Sequence, residues 1–114
     1  MTKLKHKVIK LKPTDILLEV FIGKRKDIIK SLLKDYGEDK KYWKEMIDNG
    51  DCTVSWDNHI FIFMTEFDVN TIVHEATHAT WYLDEIVGFN INQDNDEIQA
   101  YYMGYIVEKI FKMK

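Results

Sequence analysis

Two histidines four residues apart, His74 and His78, enclose a glutamate, Glu75. In an α-helix, residues i and i+4 lie one turn apart on the same side, so both imidazoles can reach one metal ion. A glutamate inside such a pair is the group that a zinc hydrolase uses to take a proton from water. The spacing therefore predicts a zinc site with a general base beside it.

A catalytic zinc ion usually takes three protein ligands and keeps one position open, so a third ligand must come from elsewhere. Glu85 is on the same helix, but it lies about 10 Å along the axis from His78 and is too far to share the metal. Glu97 opens the next helix and can turn back towards the histidines, with Asp94 and Asp96 as alternatives. We expect Zn²⁺ as the cofactor.

The helix that positions the histidines is predicted over Asn70–Val87, because apolar residues recur there with a period of 3.6. Asp68 or Asn70 can cap its start, and Gly88 ends it. The histidines fall on the side opposite the apolar residues, which excludes their being core histidines and leaves a solvated face that happens to hold two histidines as the alternative to a metal site. The apolar side comprises Val69, Ile72, Val73, Ala76, Ala79, Leu83, Ile86 and Val87.

A last helix is predicted from about Asp96 to the C terminus. Its apolar residues surround the axis, which predicts burial on several sides, and its least apolar stripe holds Glu97 and Glu108. A carboxylate on a buried helix needs a partner, and a metal ion between the two helices would be one. Trp81, a large apolar group beside the histidines, also predicts that this helix covers their side.

The rest of the chain predicts a small antiparallel or mixed sheet with helices, an α+β fold. With 114 residues and no linker or repeat, residues 1–114 should form a single domain. His6 and His59 are expected to be ordinary strand residues. The predicted elements are an edge strand in Lys3–Lys12, a strand over Ile16–Ile22, helices over Arg25–Tyr36 and Asp39–Asp48, and a hairpin of Cys52–Asp57 with His59–Met64.

Composition limits the partners and the compartment. The net charge of −3 argues against a nucleic-acid surface, and the basic runs at Lys3–Lys12 and Lys24–Lys26 are expected to be solvated. Cys52 is the only cysteine, so an internal disulfide is impossible and a reducing compartment fits best. No apolar run is long enough for a signal peptide or a transmembrane helix. We therefore expect a soluble, cytoplasmic protein with no nucleic-acid or membrane partner, and the oligomeric state is open.

The two helices together resemble the gluzincin zinc metallopeptidases, in which a His-Glu-x-x-His helix is followed by a helix carrying Glu-x-x-Ala. The short length is similar to minimal single-domain members and to small zinc-peptidase-like proteins encoded by bacteriophages. A neighbouring resemblance is to the metallopeptidase domains that cleave phage repressors. The resemblance covers roughly residues 61–111 and is carried by His74, Glu75, His78, Glu97 and Ala100.

This resemblance implies a zincin-like fold and a peptide or protein substrate. It makes His74, His78 and Glu97 the zinc ligands and Glu75 the general base, which later passes its proton to the leaving amine. It also implies that the strand His59–Met64 is the edge along which the substrate lies.

Two departures from the family pattern affect the rest of the site. Tyr101 stands where some gluzincins have an acidic residue that orients a ligand histidine. No histidine follows Glu97, so Tyr101 or Tyr105 would have to donate the hydrogen bond to the developing oxyanion. The alternative function is a non-catalytic, zinc-stabilised binding or scaffold protein, for example a viral one. The intact Glu75 favours the enzyme, because a structural zinc site has no use for it.

Overall fold

The computed structural model describes residues 3–37, 40–47, 50–56, 58–88 and 96–114. Within these residues the chain forms four strands and four helices, which confirms the predicted α+β class. The elements are β1 (Lys5–Lys10), β2 (Leu17–Ile22), α1 (Arg25–Tyr36), α2 (Lys40–Ile47), β3 (Cys52–Trp56), β4 (His59–Met64), α3 (Val69–Val87) and α4 (Asp96–Phe111).

The four strands form one mixed sheet in the order β1-β2-β4-β3. β1 runs antiparallel to β2, β2 parallel to β4, and β3 antiparallel to β4, so the predicted edge strand β1 and the predicted hairpin are confirmed. The register aligns Val8 with Glu19, Glu19 with Phe61, and Val54 with Phe61.

The position of β4 corrects one expectation from the sequence. His59–Met64 is not a sheet edge, because β2 and β3 pair with it on both sides. Its side chains are buried on both faces from Ile60 to Met64, which suits a central strand rather than an edge. Among the described residues, the free edge on this side of the sheet is β3.

Each face of the sheet is covered by a pair of helices. Residues that alternate along β2 and β4 point to opposite faces, as the period of two requires. The α3/α4 side buries, among others, Leu18, Val20, Ile60, Ile62, Ile72, Ala76, Leu83 and Ile106. The α1/α2 side buries Phe21, Ile28, Ile29, Leu32, Trp43, Ile47, Phe61 and Phe63.

The ends of α3 follow the predicted capping. The Asp68 carboxylate accepts a hydrogen bond from the Thr71 backbone N–H at 2.9 Å. Gly88 follows the last turn in the left-handed conformation, with φ of 74°. This conformation costs glycine little because it has no Cβ, so the helix stops there.

The burial of α4 also differs from the prediction. Full burial is confined to one side of this helix, at Tyr102, Ile106 and Ile110, where α4 packs against α3 and the core. Met103, Tyr105 and Val107 are half-buried beside them. The stripe of carboxylates is exposed, and Glu108 pairs with Lys112 at 3.1 Å. A buried partner for this stripe is therefore not required. Nor does α4 cover Trp81, which is 56% exposed.

A buried carboxylate on the other face of the sheet joins four elements. Glu19 is 3% exposed, and its oxygens lie 2.7 Å from the Nε2 atoms of His6 and His59. The Tyr36 hydroxyl also donates to Glu19. This carboxylate thus links β1, β2, β4 and α1. The strand pattern did not predict that the two histidines would share it as a partner. The only sign in the sequence was that Glu19 interrupts an apolar run.

Replacement of Glu19 by Ala should destabilise the fold, because three donors would lose their acceptor in a buried place. We expect the free energy of unfolding to fall by about 3 kcal/mol, measured by urea denaturation. The matched control is Glu45→Ala, an exposed glutamate on α2. A loss for Glu19→Ala as small as that of the control would show that the network contributes nothing to stability.

Candidate metal centre

The two histidines meet at one point on the outer side of α3. Their Nε2 atoms are 3.2 Å apart, with His74 exposed and His78 half-buried. Two nitrogens bound at 2.0–2.1 Å to a tetrahedral zinc ion would be about 3.4 Å apart. The pair therefore has the spacing of two zinc ligands, and the predicted orientation away from the core is confirmed.

Glu75 points sideways from α3 towards the edge strand β3. Its side chain is buried, with 5% of the residue exposed, and its Oε1 accepts a hydrogen bond from the Thr53 hydroxyl at 2.7 Å. The same hydroxyl lies 3.0 Å from the Glu75 backbone carbonyl oxygen. Thr53 therefore holds both the carboxylate and the backbone of α3 against β3.

The pKa of Cys52, which is next to Thr53 in β3, depends on the charge of Glu75. Burial is the largest cause that raises the pKa of the Cys52 thiol, and with the negative charges of Glu75 and Asp51, and the opposing effect of Arg25, the pKa reaches about 11. The thiol therefore stays protonated at neutral pH. A protonated thiol is a poor nucleophile.

Replacement of Glu75 by Gln should lower the pKa of Cys52, because the neutral amide removes one source of repulsion on the thiolate. The pKa should stay above that of an ordinary thiol, since burial is the largest cause. The measurement is the rate of thiol modification by a disulfide reagent as a function of pH. Glu85→Gln, on the exposed part of α3, should change nothing. Equal rates in both variants would contradict the placement of Glu75 beside Cys52.

Glu97 lies on the first turn of α4, exposed to solvent. It lines a shallow cavity of about 320 Å³ together with Thr80 and Asp96. No group of three or more His, Cys, Asp or Glu side chains that could hold a metal ion forms within residues 3–37, 40–47, 50–56, 58–88 and 96–114. The histidines are thus together and Glu97 is apart from them. Asp94 lies outside the described residues, so Glu97 as the third ligand stays a prediction.

The two tyrosines proposed as oxyanion donors lie further along α4. Tyr101 is 67% exposed and its ring stacks on that of Tyr105, with centroids 6.5 Å apart. Tyr105 lines a groove beside β1, and the Lys109 ammonium lies 5.4 Å from its ring centroid. Tyr105 packs against the core, whereas Tyr101 is largely exposed, and the catalytic role of both stays a prediction.

Asp84 is the one acidic side chain of α3 with an unsatisfied buried atom. Its Oδ2 is buried and has no hydrogen-bond partner among the described residues. Burial raises the pKa of this carboxyl above its usual value. The charged form therefore costs stability in the folded protein.

Asp84→Asn should stabilise the protein at neutral pH and not at acid pH. Below the unfolded pKa of about 4 the carboxyl is protonated in both states, so burial carries no charge penalty. As the pH rises through the raised folded pKa, the wild type loses stability and the amide variant does not. We expect a melting temperature about 3 °C higher at pH 7. The difference should vanish near pH 3, and Glu85→Gln should show neither effect. A difference in melting temperature that is constant with pH would rule out the buried charge of Asp84 as its cause.

Comparisons with known proteins add no relative. No family model matches the chain, and no curated protein or solved structure shows a significant match to it. In the part of the chain that the structure describes, none of the helices combines the length and apolar character needed to cross a membrane. The likeness to gluzincins is therefore carried by the motif residues alone.

Proposed function

We propose that this chain is a zinc-dependent peptidase in which His74 and His78 bind the metal and Glu75 is the general base. The observation that carries the proposal is the convergence of the two Nε2 atoms to 3.2 Å on the outer side of α3. The buried carboxylate of the intervening residue lies next to a free sheet edge. Hydrolysis of an amide needs metal ligands, a carboxylate beside them and a surface that can bind a peptide. The two histidines, Glu75 and the edge of β3 would supply these three parts.

Glu97 is the proposed third ligand. It lines the same cavity as Thr80, which follows His78 by two residues, so the first turn of α4 lies near that end of the pair. When bound, zinc would supply Lewis acidity to the substrate carbonyl and acidify a nearby water molecule. Glu75 takes the proton from that water and later delivers it to the leaving amine. The hydrogen bond from Thr53 sets the orientation of the carboxylate during both transfers.

The proposed substrate is an extended peptide that adds to β3 as a further strand. An edge strand presents unpaired N–H and C=O groups that can bind a peptide backbone. β3 carries Thr53, the partner of Glu75, so a peptide on this edge would pass close to the general base. We therefore assign to β3 the role of substrate-binding edge, which the resemblance to gluzincins implied for β4.

The second candidate is a zinc-stabilised binding protein without turnover. One observation favours it: Trp81 is 56% exposed beside the histidines. The rings of Trp81 and His78 are 5.6 Å apart, and an exposed tryptophan is a frequent anchor at protein interfaces.

Cleavage of a broad peptide library, measured with and without a zinc chelator, tests the proposal. The wild type should cleave with zinc and lose activity with the chelator. Glu75→Gln should keep zinc and lose at least about 100-fold in rate, because the proton acceptor is gone. The matched control Glu85→Gln should cleave like the wild type.

Zinc content of the purified variants separates the two candidates. His74→Ala should lose the metal, and Glu97→Gln should bind it about tenfold or more weakly if Glu97 is a ligand. Zinc binding without cleavage in the wild type would favour the binding protein. If the Glu75→Gln variant cleaved at the wild-type rate, Glu75 would be excluded as the general base.

A further inference from the structure

An open groove of about 690 Å³ lies between α1 and α2, on the opposite side of the sheet from α3. Charged side chains line most of it. Among the described residues of the lining there are five cations and a single acid: Arg25, Lys26, Lys30, Lys40, Lys44 and Asp27. The part of the groove that the structure describes is therefore strongly positive, in a protein whose net charge is negative.

The charge of the chain is divided between its two halves. Residues 1–50 contain 13 Lys and Arg against eight Asp and Glu, whereas residues 51–114 contain three against eleven. The net charge of −3 hides this separation. The α1/α2 groove belongs to the positive half and the proposed metal site to the negative half, so the two would attract different partners.

The lysines of the groove repel one another in the free protein. Lys26 and Lys30 are spaced i,i+4 on α1, and Lys40 and Lys44 are spaced i,i+4 on α2. Like charges at this spacing destabilise a helix. None of these four lysines forms an ion pair with any residue that the structure describes. An anion between the two helices would remove this repulsion.

The helix dipoles also bear on the electrostatic stability of these two helices. α1 begins at Arg25 and has Asp27 in its first turn, whereas α2 begins at Lys40 and has no acidic residue in its first turn. Cations at a helix N terminus oppose its positive dipole end, so stability alone would favour acidic residues at these positions. The groove is therefore charged in a way that folding does not require.

The floor of the groove is apolar. Ile29 and the half-buried Leu33 lie between the rows of lysines. Among the described residues that line it there is no aromatic side chain on which a nucleic-acid base could stack. A ligand that fits both the rim and the floor carries carboxylates beside apolar side chains.

We propose that this groove docks an acidic amphipathic segment of a partner protein. Its carboxylates bind Lys26 and Lys30 on one side and Lys40 and Lys44 on the other, and its apolar side chains contact the floor. α2 has eight residues and is about 12 Å long, so two turns of a helix would span the groove. This docking surface is independent of the proposed peptidase activity.

Fluorescence anisotropy with a labelled model peptide tests the docking. The probe is an amphipathic helical peptide with Glu at i,i+4 positions and Leu on the opposite side, compared with the same peptide carrying Gln for Glu. The Glu peptide should bind at least about tenfold more tightly, and its affinity should fall as salt is raised. Equal binding of the two peptides, or tighter binding of a duplex DNA oligonucleotide, would overturn the proposal.

Charge-matched variants locate the binding. Lys26→Glu/Lys30→Glu changes two exposed groove lysines, and Lys7→Glu/Lys10→Glu makes the same charge change on β1. The groove variant should lose at least about tenfold in affinity for the Glu peptide, and the β1 variant less than about twofold. The groove variant should melt no lower than the wild type, because acidic residues suit the start of α1. An equal loss in both variants would show that only overall charge matters, and would contradict a docking groove.

Discussion

The packing of α3 against the sheet depends on one row of small and branched side chains, Ile72, Ala76, Ala79 and Leu83. The two alanines allow the helix to approach the strands closely, and the larger residues fill the space on either side. A rotation of α3 by one residue, about 100°, would bury the histidines or expose this row. Burial of the row therefore turns His74 and His78 to the outside and Glu75 towards β3.

Two glutamates among the described residues are buried, one on each side of the sheet, and their hydrogen-bonding partners differ. Glu19 has three hydrogen-bonding partners, His6, His59 and the Tyr36 hydroxyl, which occupy most of its acceptor capacity. Glu75 has a single hydroxyl partner on its Oε1, from Thr53. The first arrangement suits a permanent link between strands. The second leaves most of the acceptor capacity of the carboxylate unused.

Local patterns determined the elements and the direction of the histidines. The apolar period predicted α1 over Arg25–Tyr36, and the structure has the same bounds. The N-cap at Asp68 and the end of α3 at Gly88 could also be predicted from the sequence, because capping involves residues that are neighbours along the chain. The meeting of His74 and His78 follows from helix geometry alone, so the sequence was enough to predict half of the candidate site.

Tertiary structure decided the features that depend on residues far apart in the chain. The insertion of β4 between β2 and β3, which moves the free edge to β3, depends on strand order, and no local period encodes strand order. The partners of Glu19 come from three other elements, so its role was invisible in the sequence. The exposure of Glu97 follows from α4 packing along one side only. The sequence by itself determined which groups of α3 could do chemistry, and only long-range packing decided which other groups stand beside them.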